Sequence, residues 1–288
     1  MLAWRLADRT LELERPLGVG IVNVTADSMY GGARSGTPEQ AVADGLGLAE
    51  AGFEMLDVGA VAARSGPPVA AEDEGARLLP AIEGLAARTA VPISADTFSA
   101  TVAARALDAG AVAINDISGA ADPALLELAA ESGCGLVLMH IEGPAREDRK
   151  PRPLEDPVEH LKRWFTERIE TALDRGVAAA QLALDPGLDF DLTVADDLEL
   201  LRRLGELGDL GRPLYVSLSR KDFLGAALAG SWERRLPADR REWATSAAAA
   251  LAVAQGAELM RLHDASALQA VRVAGAIAGC APAEVARG

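Results

Sequence analysis

The sequence predicts a (β/α)8 barrel, an α/β fold of TIM-barrel type with a short N-terminal β-hairpin. Three observations carry that expectation. An apolar run followed by an amphipathic stretch recurs eight times along the 288 residues. Each apolar run has the length and composition of a strand buried on both faces. Each ends abruptly in polar residues, and small residues or glycine separate one unit from the next.

Residues 2–15 alternate apolar and polar around Asp8-Arg9 and read as the hairpin, placed over one barrel end. Strand one is 17–22 and its helix spans 38–50, opened by the cap-plus-proline pair Thr37-Pro38 and closed by Ala51-Gly52. Strand two covers 54–58 and helix two 72–88; strand three covers 91–95 and helix three 99–108. Strand four is 111–114, and Asp122-Pro123 opens helix four, which ends at Ser132-Gly133. Strand five is 135–138, and a polar loop leads to helix five at 157–174. Strand six is 181–184 with helix six at 194–207, and strand seven is 213–218. Residues 222–238 read as an irregular insert before helix seven at 239–254. Strand eight is 257–262 and helix eight 265–278. A doubly wound open sheet is the competing fold, but the Gly-x-Gly-x-x-Gly fingerprint it uses after strand one is absent. No linker or low-complexity tract divides the chain, so a single domain over 1–288 is expected.

Composition narrows the function. The net charge of −15 argues against nucleic-acid and anionic-membrane partners. The two cysteines give neither a disulfide framework nor a metal spacing. The N-terminus has no long apolar segment, and the longest apolar run, Ala247 to Ala254, is too short to span a bilayer, so a cytoplasmic protein is expected.

The eight strands end at Asn23, Asp57, Asp96, Asn115, His140, Asp185, Lys221 and His263. Both asparagines, two of three histidines and one of three lysines fall in that set. In a barrel these positions converge on one rim, where ligands bind. Singly, each has a plainer reading: an Asp there is often the next helix's N-cap, and His140 alone reads as a packed loop histidine. Together, Asp96, Asn115 and Asp185 offer acceptors and donors that match a flat, nitrogen-rich heterocycle, with Lys221 as a further donor. Arg261 and His263, with Asn23 and a helix N-terminus, suit a phosphate or diphosphate. Any divalent ion would be Mg2+ shared with that diphosphate. Lys221 as a Schiff-base nucleophile and a non-catalytic binding barrel are the alternatives.

These residues resemble the pterin-binding barrel family, and within it the dihydropteroate synthases. The motifs are Ile-Val-Asn23-Val-Thr25-Ala-Asp27-Ser28, Leu56-Asp-Val-Gly59, Ile93-Ser-Ala-Asp96-Thr and Ile114-Asn-Asp-Ile-Ser-Gly119. Leu138-Met-His140, Leu184-Asp-Pro-Gly187, Leu218-Ser-Arg-Lys221 and Arg261-Leu-His-Asp264 complete the set, over roughly 17–278. The resemblance implies condensation of a dihydropterin pyrophosphate with 4-aminobenzoate and release of diphosphate. It implies a pterin site of Asp96, Asn115, Met139, Asp185 and Lys221, with Ser219 and Phe190 also at the substrate. It places Asn23, Arg261 and His263 on the diphosphate, with Asn23 also serving Mg2+. Asp27, Lys221 and Arg64 take the catalytic roles, and a homodimer through outer helices is implied.

The departures from the family pattern cluster. Ala26 and Met29 stand where the family has Pro and Phe. The second loop reads Gly59-Ala-Val-Ala-Ala-Arg64-Ser-Gly66 and lacks the usual Glu, Ser, Thr and Pro. After Asp185-Pro-Gly187, Asp189 and Asp191 replace glycines and a lysine is lost. In the family these loops form the 4-aminobenzoate pocket. The readings left open are a synthase with a reshaped pocket, a paralogue using another acceptor, a pterin-binding protein without turnover, and a methyltetrahydrofolate-type methyltransferase.

Overall fold

The structure is a computed structural model that describes residues 2–24, 36–63, 66–147 and 150–280. A hairpin of β1 (Ala3–Arg5) and β2 (Thr10–Glu12) leads into eight parallel strands. These are β3 (Leu17–Asn23), β4 (Met55–Gly59), β5 (Ile93–Asp96), β6 (Ala113–Asp116), β7 (Gly135–Met139), β8 (Leu182–Asp185), β9 (Tyr215–Ser217) and β10 (Leu259–Leu262). Neighbours in sequence pair in parallel from β3 to β8, and β10 joins β9 to β3. A parallel bridge between Leu184 and Leu214, with the Leu184 N–H on the Pro213 carbonyl at 2.9 Å, closes the ring between β8 and β9.

The outer helices are α1 (Pro38–Glu50), α2 (Ala71–Ala86), α3 (Ala100–Asp108), α4 (Pro123–Ser132), α5 (Pro157–Asp174), α6 (Val194–Arg202), α7 (Asp222–Ala229), α8 (Glu242–Ala254) and α9 (Ala265–Ile277). Their starts follow the local chemistry. The Thr37, Asp122 and Asp156 side chains accept backbone N–H groups, each ahead of a first-turn proline. Gly133 closes α4 in the left-handed conformation, φ 70°.

The hairpin covers the N-terminal end of the strands. Trp4 is fully buried there and donates Nε1–H to the Gln181 carbonyl at 2.7 Å. It packs with the lowest inward layer, including Val19, Met55, Ala113, Val137, Ala183, Tyr215 and Leu259. That end is therefore an apolar plug. The C-terminal end carries the polar residues.

One expectation needs correction. Residues 222–238 are not irregular throughout, because 222–229 form α7. The segment Asp-Phe-Leu-Gly-Ala-Ala-Leu-Ala has no polar face, and Lys221 before it supplies no side-chain cap. The cap comes from Asp189, thirty-three residues away: its carboxylate accepts Asp222 N–H at 2.7 Å and Phe223 N–H at 3.1 Å. Helix six is also shorter than expected, ending at Arg202 and continuing as 3-10 turns over Leu204–Leu210.

Candidate active site

A cleft opens at the C-terminal rim of the barrel, lined by both polar and apolar side chains. It is lined by Asn23, Asp96, Asn115, Met139, Asp185, Phe190, Ser219, Lys221, Arg261 and His263. The ten described residues that the family resemblance assigns to the site thus meet in one place, whereas Asp57 and His140, expected with the rim, do not line the cleft. Asp27 and Arg64 lie outside the described residues.

The floor is a charged network inside the barrel. Arg261 on β10 donates Nε–H to Asp57 at 2.6 Å and Nη2–H to Asp96 at 2.8 Å. Asp57 also accepts from Ser94 Oγ at 2.5 Å and Asn115 Nδ2 at 3.0 Å. Asp57 is no helix cap: it is fully buried and ties four strands together beneath the cleft. The sequence showed only a polar residue near a strand end; that it turns inward is decided by the barrel's closure.

Electrostatics follow from burial. Desolvation pushes the Asp96 carboxyl up to about 7, held back by the Arg261 charge and helped by neighbouring carboxylates. Desolvation also raises Asp185 to about 6, against the pull of Lys221 and of the Gly187 N–H on its Oδ1 at 2.8 Å. Burial opposes the Arg261 charge, but Asp57 and Asp96 outweigh it and keep the guanidinium firmly protonated. Near neutral pH the Asp96 carboxyl is therefore poised to ionise when a ligand brings N–H donors.

Met139 closes one side with Ile117 and Phe190. The Lys221 ammonium lies 4.4 Å from the centre of the Phe190 ring, which fixes that long side chain across the mouth. The Asp185-Pro-Gly187 turn needs its glycine: at φ 67° a Cβ on residue 187 would sit 2.1 Å from the His140 carbonyl oxygen. Asp189 and Asp191 keep the left-handed backbone, φ 72° and 56°, that glycine would adopt freely. Aspartate is among the few L-residues that tolerate it.

The opposite corner is electropositive. Burial, then the charges of Arg261, Arg220 and Lys221, depress His263 to about 3, so its imidazole is neutral. Its Nδ1 pairs with Ser219 Oγ at 2.7 Å. Arg220 was not singled out from the sequence as a site residue. It lines the cleft in a left-handed conformation, φ 59°, with Nη2–H on Asp264 at 2.8 Å and its N–H on Thr245. Ser217 and Asp189 also line the cleft unannounced. His140 does not reach it and is fully buried, edge-on to Trp164 at 5.1 Å between ring centres.

The family described as pterin binding enzyme matches residues 19–263. The dihydropteroate synthase of Synechocystis is 35% identical over 92% of this chain and 91% of its own length. A Mycobacterium leprae protein described as inactive dihydropteroate synthase 2 is 38% identical, over 90% of this chain and 89% of its own. The Xanthomonas albilineans dihydropteroate synthase, solved with 4-aminobenzoic acid, superposes with a TM-score of 0.85 at 39% identity, covering 97% of this chain and 100% of that one. Barrel, rim constellation and relatives agree, and the chain belongs to the pterin binding enzymes, in the dihydropteroate synthase family.

Proposed function

We propose that this protein condenses 6-hydroxymethyl-7,8-dihydropterin pyrophosphate with 4-aminobenzoate, giving dihydropteroate and diphosphate in folate biosynthesis. The observation that carries this reading is the meeting of Asp96, Asn115, Asp185 and Lys221 with a neutral His263 and flanking cations in one cleft. The carboxyls of Asp96 and Asp185 accept the amino and ring N–H groups of the pterin, and Lys221 and Asn115 serve its oxygen and nitrogen acceptors. Met139, Ile117 and Phe190 pack against the ring.

The C–O bond to diphosphate breaks with charge moving onto the leaving oxygens. His263, Ser219 and Arg220, which line the cleft, would take up that charge. Arg261, expected from the sequence at the diphosphate, donates to Asp57 and Asp96, so in this proposal it acts on the leaving group through its charge while holding the floor. The acceptor amine then forms the C–N bond and gives up a proton. Asn23, at the end of β3, lines the cleft, and its amide oxygen is a hard donor of the kind Mg2+ takes; Asn23 would hold such an ion, which would supply charge neutralisation for the leaving group. Asp27 and Arg64, outside the described residues, keep their roles as part of this proposal.

A single domain over the whole chain and a homodimer complete the reading. Trp243 and Leu251 on α8 and Val273 and Ile277 on α9 are exposed apolar side chains on two helices that pack together. A cytoplasmic site of action is part of this proposal; no helix among the described residues is long and apolar enough to cross a membrane.

A second reading rests on Asp189. Its carboxylate takes the first two N–H groups of α7, the anion-binding end of a helix that starts beside Lys221. A pterin-binding paralogue with an acceptor lacking a carboxylate would suit that arrangement. Diphosphate release from the dihydropterin pyrophosphate, with Mg2+ and with or without 4-aminobenzoate, separates the two. Release dependent on 4-aminobenzoate, with dihydropteroate formed, supports the synthase. Release independent of it supports the paralogue, and tight binding without release leaves a pterin-binding protein.

A further inference from the structure

Outside the cleft, three side chains from two distant stretches converge on one point. His140 follows β7, Glu142 lies two residues further on, and His160 is in the first turn of α5. His140 Nε2 is 3.1 Å from Glu142 Oε1, and His160 Nε2 is 2.5 Å from the same oxygen. The ligand atoms of the three all lie within 4.8 Å of one another. The two imidazoles stand nearly perpendicular, 88° apart, with ring centres 5.6 Å apart. None of the three lines the cleft.

We propose that His140, Glu142 and His160 form a binding site for a transition-metal dication such as Zn2+ or Co2+. Two imidazole nitrogens and one carboxylate oxygen are the donor set borderline-soft ions take, and not the all-oxygen shell of Mg2+. Tetrahedral coordination with bonds of about 2.0–2.1 Å puts ligand atoms about 3.3 Å apart. The His140–Glu142 separation already matches. His160 is partly exposed on a helix surface, so its ring has room to move the remaining distance. His140 is held from behind: it is fully buried, packed edge-on against Trp164, and its Nδ1 has no partner among the described residues. Nε2 is therefore the nitrogen this chain directs outward. Two N–H···O contacts to a single carboxylate oxygen would give way to three bonds to the ion, with the remaining coordination open to water.

Such an ion would act as a clasp. The Glu142 N–H donates to Asp191 Oδ2 at 3.2 Å, and the His140 N–H donates to the Asp185 carbonyl at 2.9 Å. The trio thus joins the loop after β7 and the start of α5 to the turn after β8 that carries Asp185, Asp189 and Phe190.

The test is titration of Co2+ into the tag-free full chain in excess Mg2+, which saturates oxygen-donor sites without competing for imidazole. Expected are one equivalent of Co2+, a visible d–d absorption band, and displacement by Zn2+. Glu142→Gln and His160→Ala, both at partly exposed positions, should each weaken binding at least about tenfold while the circular dichroism spectrum stays native. His263→Ala, in the cleft, should leave Co2+ binding unchanged. No bound Co2+, wild-type affinity in both trio variants, or loss of the band in His263→Ala would each overturn the assignment.

Discussion

Asp189 caps the helix that begins at Asp222, with one oxygen on the Asp222 N–H at 2.7 Å and the other on Phe223 N–H at 3.1 Å. A residue at a position the family fills with glycine has become the N-terminal anchor of α7. Asp197 returns the favour by accepting the Asp189 N–H at 2.9 Å.

Asp189→Gly should therefore lower stability by about 1–2 kcal/mol, the usual worth of an N-cap. Asp189→Ala should lower it further, because alanine loses the cap and also meets the left-handed penalty at φ 72°. Urea unfolding of the three proteins gives the ranking. Equal stability of the two variants would remove the backbone argument.

Asp185→Ala and Lys221→Ala should each abolish measurable pterin binding. Removing either leaves a buried polar group unpaired on the protein or the ligand, a loss of about 1–3 kcal/mol per neutral group and more where charge is involved. Calorimetric titration with the dihydropterin pyrophosphate reads this directly. Near-normal affinity in both would sink the floor assignment.

His263→Ala should weaken binding of the diphosphate-bearing pterin more than that of the bare pterin. Equal losses for both ligands would place His263 at the ring instead. Because its folded value is depressed to about 3, the histidine's stability contribution is present above its ordinary 6.5 and is lost as pH falls from there toward 3.

Asp185 runs the other way. Its folded value of about 6 lies above the ordinary 3.8, so the folded protein holds the proton more tightly. Its contribution is full below about 4 and is lost as pH rises through 6. Relative to wild type, Asp185→Asn should therefore gain stability between pH 4 and pH 7.5, on the order of 2 kcal/mol. Pterin binding, which draws on the ionised carboxylates, should release protons near pH 6.5 in buffers of differing ionisation heat.

The proposed homodimer through α8 and α9 would bury Trp243, which is 86% exposed in the single chain, so Trp243→Glu should lower the mass read by light scattering with little change in the far-ultraviolet spectrum; an unchanged mass would remove these helices from the contact.

How far the sequence could be read follows from where the information sits. Parallel strands buried on both faces are apolar runs by necessity, so β3 to β10 and their polar ends were legible from one chain. The pairs Thr37-Pro38 and Asp122-Pro123 marked helix starts because the cap is adjacent. Helix α7 escaped because its cap is Asp189, distant in sequence, and because a helix buried at its start has no polar stripe to show. Asp57 and Arg261 were legible as polar residues on apolar strands, but their pairing spans 204 positions and exists only once the barrel closes. His140 was counted with the rim; packing against Trp164 set it apart.

The network beneath the cleft has an evolutionary corollary. Asp57, Ser94, Asp96, Asn115 and Arg261 come from four different strands, and each satisfies a neighbour that would otherwise be a stranded charge or dipole. Single changes within that set are penalised before any ligand is involved, so the demand for folding alone disfavours them. The loop after β8 is held by a separate set of bonds, with Asp189 on the Asp222 and Phe223 N–H groups and Asp191 on the Glu142 N–H, so a change there tells on α7 and on the segment after β7 and leaves the network beneath intact.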